Sequence, residues 1–179
     1  MTGGSWREHL AAIRPDADLA DADWWDVEWG HGTPPAVGFL VPSGFEAYAR
    51  VLHPAADADG RDVRWAEVAE ACGTTLYSEA QWHRLSGGRE YDPRGEGAEP
   101  RRWPGNEPEL GRLNRPAFEA LSEVVAGHTS TPSSDTDLDS TLVGGSRALV
   151  DELLADDRLE VLPWPVDGSL WSDADTVNA

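Results

Sequence analysis

The stretch from Asp135 to Val166, DTDLDSTLVGGSRALVDELLADDRLEVLPWPV, constrains this chain more than any other, because it reads without interruption as strand, glycine turn, helix and strand. Gly144 and Gly145 supply the turn. Ser146 stands where an N-cap is wanted, since its hydroxyl can accept one of the N–H groups that a first helical turn leaves unpaired. Asp151 and Glu152 follow near the positive end of the helix dipole, and Leu149, Val150, Leu153 and Leu154 share one apolar face. Asp156 and Asp157 bring turn-forming side chains to the helix end, and Leu159, Val161 and Leu162 resume as a short strand that Pro163 stops.

Upstream, the pattern alternates between the same two element types. Trp6, Leu10 and Ile13 recur at helical spacing until Pro15. Residues 16–29 interleave carboxylates with Trp24, Trp25 and Trp29, which reads either as a half-buried strand with Trp25, Val27 and Trp29 inward, or as a surface for cationic groups. Residues 36–53 read as a hairpin around a Pro-Ser-Gly turn. Its second arm has Phe45, Ala47, Ala49 and Val51 on one face and Glu46, Tyr48, Arg50 and Leu52 on the other; a helix over 45–52 competes with this reading. Helices are expected over 63–72, from an N-cap at Ser78 through Trp82 and Leu85, and over 117–126 with Phe118, Leu121, Val124 and Val125 inward. Residues 86–116, rich in Gly, Pro, Arg and Glu, read as a mobile loop. The expected fold is a single α+β domain over 1–179, with a small, mostly antiparallel sheet and four to five helices.

Charge and composition narrow the functions. The 33 acidic residues against 14 basic ones give a formal charge of −19, which repels phosphate backbones and anionic membranes, so neither nucleic acid nor membrane is an expected partner. Every basic residue is arginine. Without lysine, a Walker-type phosphate loop, a kinase-type strand lysine and Schiff-base catalysis are all excluded. A single cysteine, Cys72, allows neither an internal disulfide nor a multi-thiolate zinc site. The first twenty residues carry no charged segment leading into an apolar run, so a cytoplasmic location is expected.

Three sequence words resemble chemistry. Asp137-Leu138-Asp139-Ser140-Thr141-Leu142 matches the first motif of haloacid-dehalogenase-like phosphatases, but that fold needs an apolar strand ahead of the motif, and TPSSDT stands there. Gly144-Gly145-Ser146-Arg147-Ala148 resembles a nucleophile elbow, yet His9, His31, His53, His83 and His128 all precede the serine, whereas the elbow fold places its histidine after it. Asp135, Asp137 and Asp139 alternate as in a calcium loop, but Ser140 and Ser146 occupy the positions that require glycine and glutamate. No metal or cofactor is expected.

Two blocks, GFEAYARVLHPA with VRWAEVAEACG, and DLDSTLVGGSRALVDELLADDRLEVLPW with SDADTVN, resemble a group of uncharacterised actinobacterial proteins. The resemblance covers roughly residues 36–85 and 126–178. It implies that a longer connection, including a strand, is shortened here between HTSTP and DLDST. It brings no activity with it.

The sequence therefore points to a non-enzymatic interaction module of the immunity or adaptor kind, whose acidic surface, with Asp23, Trp24, Trp25, Asp26 and Trp29, binds a basic protein. The alternative is a small-molecule enzyme or binder with a pocket lined by Trp and His, using Arg50, His53, His83, His128 and Asp139. A mimic of nucleic acid is a third reading.

Overall fold

The computed structural model describes residues 41, 44–88, 102–128, 130–133, 138–171 and 173–178. In chain order these form β1 (Ala47–Leu52), β2 (Ala55–Ala56), β3 (Asp62–Val63), α1 (Trp65–Cys72), α2 (Trp82–Leu85), α3 (Arg115–Val125), β4 (Ser130–Ser133), β5 (Ser140–Gly145), α4 (Arg147–Ala155) and β6 (Val161–Pro163). The architecture is α+β, with an antiparallel sheet in the order β4-β5-β1-β6 and a separate β2-β3 ribbon.

Strand β1 is the centre of the sheet and is buried along its whole length. Its alternation divides the interior in two, because successive side chains leave a strand on opposite faces. Ala47, Ala49 and Val51 pack with Leu121 and Val124 of α3 and with Leu149, Val150 and Leu153 of α4. On the opposite face Leu52 packs with Trp65, Val68 and Trp82 of α1 and α2, while Tyr48 packs with Val41, Leu142 and Trp164.

The caps explain where the helices begin. The Ser146 hydroxyl accepts from Leu149 N–H at 3.2 Å, and the Asn114 side chain accepts from Ala117 N–H at 3.0 Å. Helix α1 is capped from a distance: the Glu160 carboxylate takes Trp65 N–H at 2.6 Å and Ala66 N–H at 2.9 Å. Gly73, at φ 66°, then ends α1 in the left-handed conformation open to glycine. At the far end of the chain, buried Asp175 accepts from Tyr77 Oη at 2.9 Å and from Gln81 N–H at 3.0 Å, fastening residues 173–178 to the α1–α2 connection.

Several sequence expectations are corrected. The hairpin over 36–53 is not how β1 is paired: β5 lies against one edge from Ala47 to Leu52 and β6 against the other from Ala49 to Val51, while the expected first arm falls largely outside the described residues. Gly144 and Gly145 belong to the strand and form no turn. A Cβ on Gly144 would stand 2.5 Å from the Phe45 ring, and one on Gly145 2.5 Å from Leu149 Cδ2, so both positions stay small for packing. Ser78 does not cap α2, which starts at Trp82, because Ser78 and Ala80 turn their carbonyls to Arg50 and Gln81 N–H is donated to Asp175. Phe118 is exposed, and the core takes Ala117 and Ala120 instead. Residues 130–133 form β4, a strand without an apolar signature. Within the segment 86–116, Arg102 and Trp103 N–H both donate to Ser86 O, Asn106 pairs with Ala56, and Gly111 N–H donates to Leu138 O at 2.7 Å.

Gly105 and Gly144 test this packing. A Cβ at Gly105 would lie 2.0 Å from the Ala56 carbonyl oxygen, which belongs to the backbone and has little room to move, whereas at Gly144 the obstructing atoms are side chains. Gly144→Ala is expected to cost about 1–3 kcal/mol, and Gly105→Ala more, in urea denaturation. Equal midpoints for both variants and the parent would show that neither contact is close.

Candidate functional site

Arg50 occupies the face of β1 opposite α3 and α4 and is only 1% exposed. A guanidinium has five N–H donors and no way to shed its charge, so burial demands acceptors. Nε donates to Ser140 Oγ at 2.9 Å, Nη1 to Ser78 O at 3.1 Å and Ala80 O at 2.8 Å, and Nη2 to Asp139 Oδ1 at 3.0 Å. Its two flat faces are covered as well, with Cζ 5.4 Å from the Trp65 ring centroid and 5.3 Å from that of Trp164. Arg50 and Asp139 are thereby brought together, as an ion pair that crosslinks β1, the entry to β5 and the 78–80 turn.

His53 lies one residue beyond β1 and is fully buried. Its Nδ1 is 2.9 Å from Glu109 O, and its Nε2 is 3.0 Å from Thr141 Oγ1. A carbonyl only accepts, so Nδ1 carries the proton; in the neutral ring Nε2 is then an acceptor, and the Thr141 hydroxyl donates to it. Burial pulls the His53 pKa below its ordinary value of 6.5, with Arg50 acting in the same direction, against the Glu109 carbonyl and the Asp139 charge, which raise it.

Thr141 is the residue that links this buried chain to a surface feature. It forms part of a cavity of about 840 Å³, with Arg115, Phe118, Leu121, Ser122 and Val125 of α3 along one side and residues 109 and 111–114 along the other. The order hydroxyl, imidazole, orienting carbonyl is that of an activated nucleophile. It lacks the rest of such a site: Thr141 is 6% exposed, and Gly111 N–H, which also lines the cavity, is already donated to Leu138 O.

The other candidates lie elsewhere. His83 is buried on α2. His128 follows α3, and its Nε2 lies 2.9 Å from Glu152 Oε2 of α4. The words DLDST and GGSRA are absorbed structurally, Asp139 and Ser140 by Arg50, Thr141 by His53, and Ser146 by the cap of α4. Asp23, Trp24, Trp25, Asp26 and Trp29 lie outside the described residues. Sequence reasoning missed Thr141 as a site residue, although the register places it opposite Val51, on the face from which His53 continues. Among the described residues no group of three or more His, Cys, Asp or Glu side chains could hold a metal ion, and no helix is long and apolar enough to cross a membrane. No family model, curated protein or solved structure matches the chain.

Two variants separate charge from hydrogen bonding at Arg50. Asp139→Ala strands a buried cation and is expected to cost about 3 kcal/mol, the low end for a broken buried pair because three acceptors remain; Asp139→Asn, which keeps an acceptor oxygen, should cost about 1 kcal/mol. Equal losses in chemical denaturation would show that the charge carries the contact.

His53 makes a prediction in pH. Because its folded pKa is depressed, the unfolded chain binds the extra proton first, so the stability contributed by neutral His53 is present above about pH 6.5 and declines as pH falls through and below that value. Urea midpoints measured from pH 8 to pH 5 should fall more steeply for the parent than for His53→Gln. Parallel curves would remove His53 as the titrating group.

Proposed function

We propose that this chain is a non-enzymatic interaction module that binds a basic protein partner, in the manner of a cytoplasmic immunity or adaptor protein. The supporting observation is how the residues best suited to chemistry are used. Arg50, Asp139 and His53 lie close together, but Arg50 and His53 are fully enclosed, and their polar atoms are taken by Ser140, Thr141 and main-chain carbonyls. Such a cluster stabilises a core. What remains for solvent is a strongly acidic surface: a formal charge of −19 raises the encounter rate with a cationic protein and disfavours anionic ones. The acidic tryptophan stretch with Asp23, Trp24, Trp25, Asp26 and Trp29 is the assigned contact, because aromatic faces and carboxylates together suit arginine and lysine side chains.

The reading is tested by affinity capture at low ionic strength, followed by titration of the purified partner. The affinity should fall steeply between about 50 and 300 mM salt as exposed charges are screened, and the double variant Asp23→Arg, Asp26→Arg should bind about tenfold more weakly. Failure to recover a partner at low salt, or recovery of one whose affinity ignores both salt and the charge reversal, would count decisively against it.

A further inference from the structure

We propose that the cavity beside α3 is a binding site for a predominantly apolar small molecule that carries a hydrogen-bond donor. This inference is independent of the protein-binding reading, since the cavity contains none of the residues assigned to that contact.

The apolar half of the argument rests on Phe118. In an amphipathic helix that buries Ala117, Ala120, Leu121 and Val124, a phenylalanine is the side chain with most to gain from the core, yet Phe118 is 61% exposed. It is not stray surface. Phe118, Ser122 and Val125 follow one another at spacings of four and three on α3, so they form one stripe, and that stripe lines the cavity with Leu121 and Leu113. At about 840 Å³ the space falls within the range of roughly 300–1,000 Å³ typical of small-molecule sites.

The polar half rests on which hydrogen is where. Glu109 O fixes the proton of His53 on Nδ1, His53 Nε2 then accepts, and Thr141 gives its only hydrogen to that nitrogen. Thr141 lines the cavity, and with its only hydrogen committed to His53 its oxygen can meet a ligand there as an acceptor alone. A ligand with a hydroxyl or amine is matched; one with only an ether, ketone or carboxylate would set lone pair against lone pair. At the rim the two arginines are already neutralised, Arg112 by Glu109 and Arg115 by Glu119, each at 2.7 Å. The net charge of −19 then weighs against an anionic head. The selectivity follows from a fixed tautomer, so it does not depend on ligand size.

The test uses the full chain and three probes with the same bicyclic body: 2-naphthol, 2-naphthylmethylamine and 2-methoxynaphthalene, titrated by fluorescence and calorimetry. At least one donor probe should bind with a dissociation constant below 1 mM, and the ether at least about tenfold more weakly than that probe, as leaving the Thr141 acceptor unpaired demands. Comparison of the naphthol with the amine distinguishes a neutral donor head from a cationic one. Phe118→Ala, at an exposed position, should weaken the bound donor probe about tenfold with an unchanged melting temperature. Thr141→Val should abolish the preference for donor over ether, and Thr141→Ser should keep it; if Thr141→Val fails to fold, the ether comparison, Thr141→Ser and Phe118→Ala still decide. No donor probe bound at 1 mM, equal affinity for ether and donors, or affinity unchanged in Phe118→Ala would each overturn the proposal.

Discussion

A guanidinium in the middle of a β-sheet is the constraint to which most of the structure answers. Arg50 cannot lose its charge, so its burial requires acceptors in the plane of the group and polarisable surface above and below it. Those acceptors come from three separate places in the chain: Asp139 and Ser140 at the entry to β5, and the carbonyls of Ser78 and Ala80 in the turn before α2. The surface comes from Trp65 on α1 and Trp164 after β6. Turning those carbonyls inward also decides local structure, because a segment that commits Ser78 O and Ala80 O to Arg50 begins its helix only at Trp82. One buried cation thus fixes the positions of α1, the 78–80 turn and the strand exits relative to the sheet.

The parts of this design that are local were legible in the sequence. The alternation of β1, the Ser146 cap, the helix over 147–155 and the strand that Pro163 ends can each be read from neighbouring residues, since side-chain periodicity and capping act within a few positions. What stayed hidden is long-range. β1 pairs with strands that follow it by about ninety residues or more, and nothing in residues 36–53 distinguishes that pairing from a hairpin. STPS has no apolar pattern, so β4 is defined only by the edge of β5 that it covers. Gly144 and Gly145 look like turn residues because glycine is common in turns, and only the approach of Phe45 and Leu149 reveals a packing role.

Helix α3 shows the same limit from the other side. Periodicity assigns Phe118 to an apolar face, and it is on one, but an apolar stripe wider than the core contact leaves a choice of which members are buried. The core takes Ala117 and Ala120 together with Leu121 and Val124, and Phe118 is left at the margin. Among the described histidines, His53 continues from the end of β1 beside Arg50 and Asp139, while His83 lies on α2 and His128 after α3.

The four residues Asp139, Ser140, Thr141 and Leu142 explain why a phosphatase-like word occurs in a chain without a phosphatase scaffold. Strand alternation sends Ser140 and Leu142 to one face and Thr141 to the other. On the first face Ser140, with Asp139 beside it, serves the guanidinium, and Leu142 packs with Tyr48 and Trp164. On the second, Thr141 donates to His53 and lines the cavity. The same polarity that satisfies one interior therefore sets the hydrogen-bond character of a surface site on the other side of the sheet. A substitution at Ser140 or Asp139 acts on the Arg50 face, whereas one at Thr141 acts on the cavity, so adjacent positions in one short motif are separable by the face that each side chain occupies.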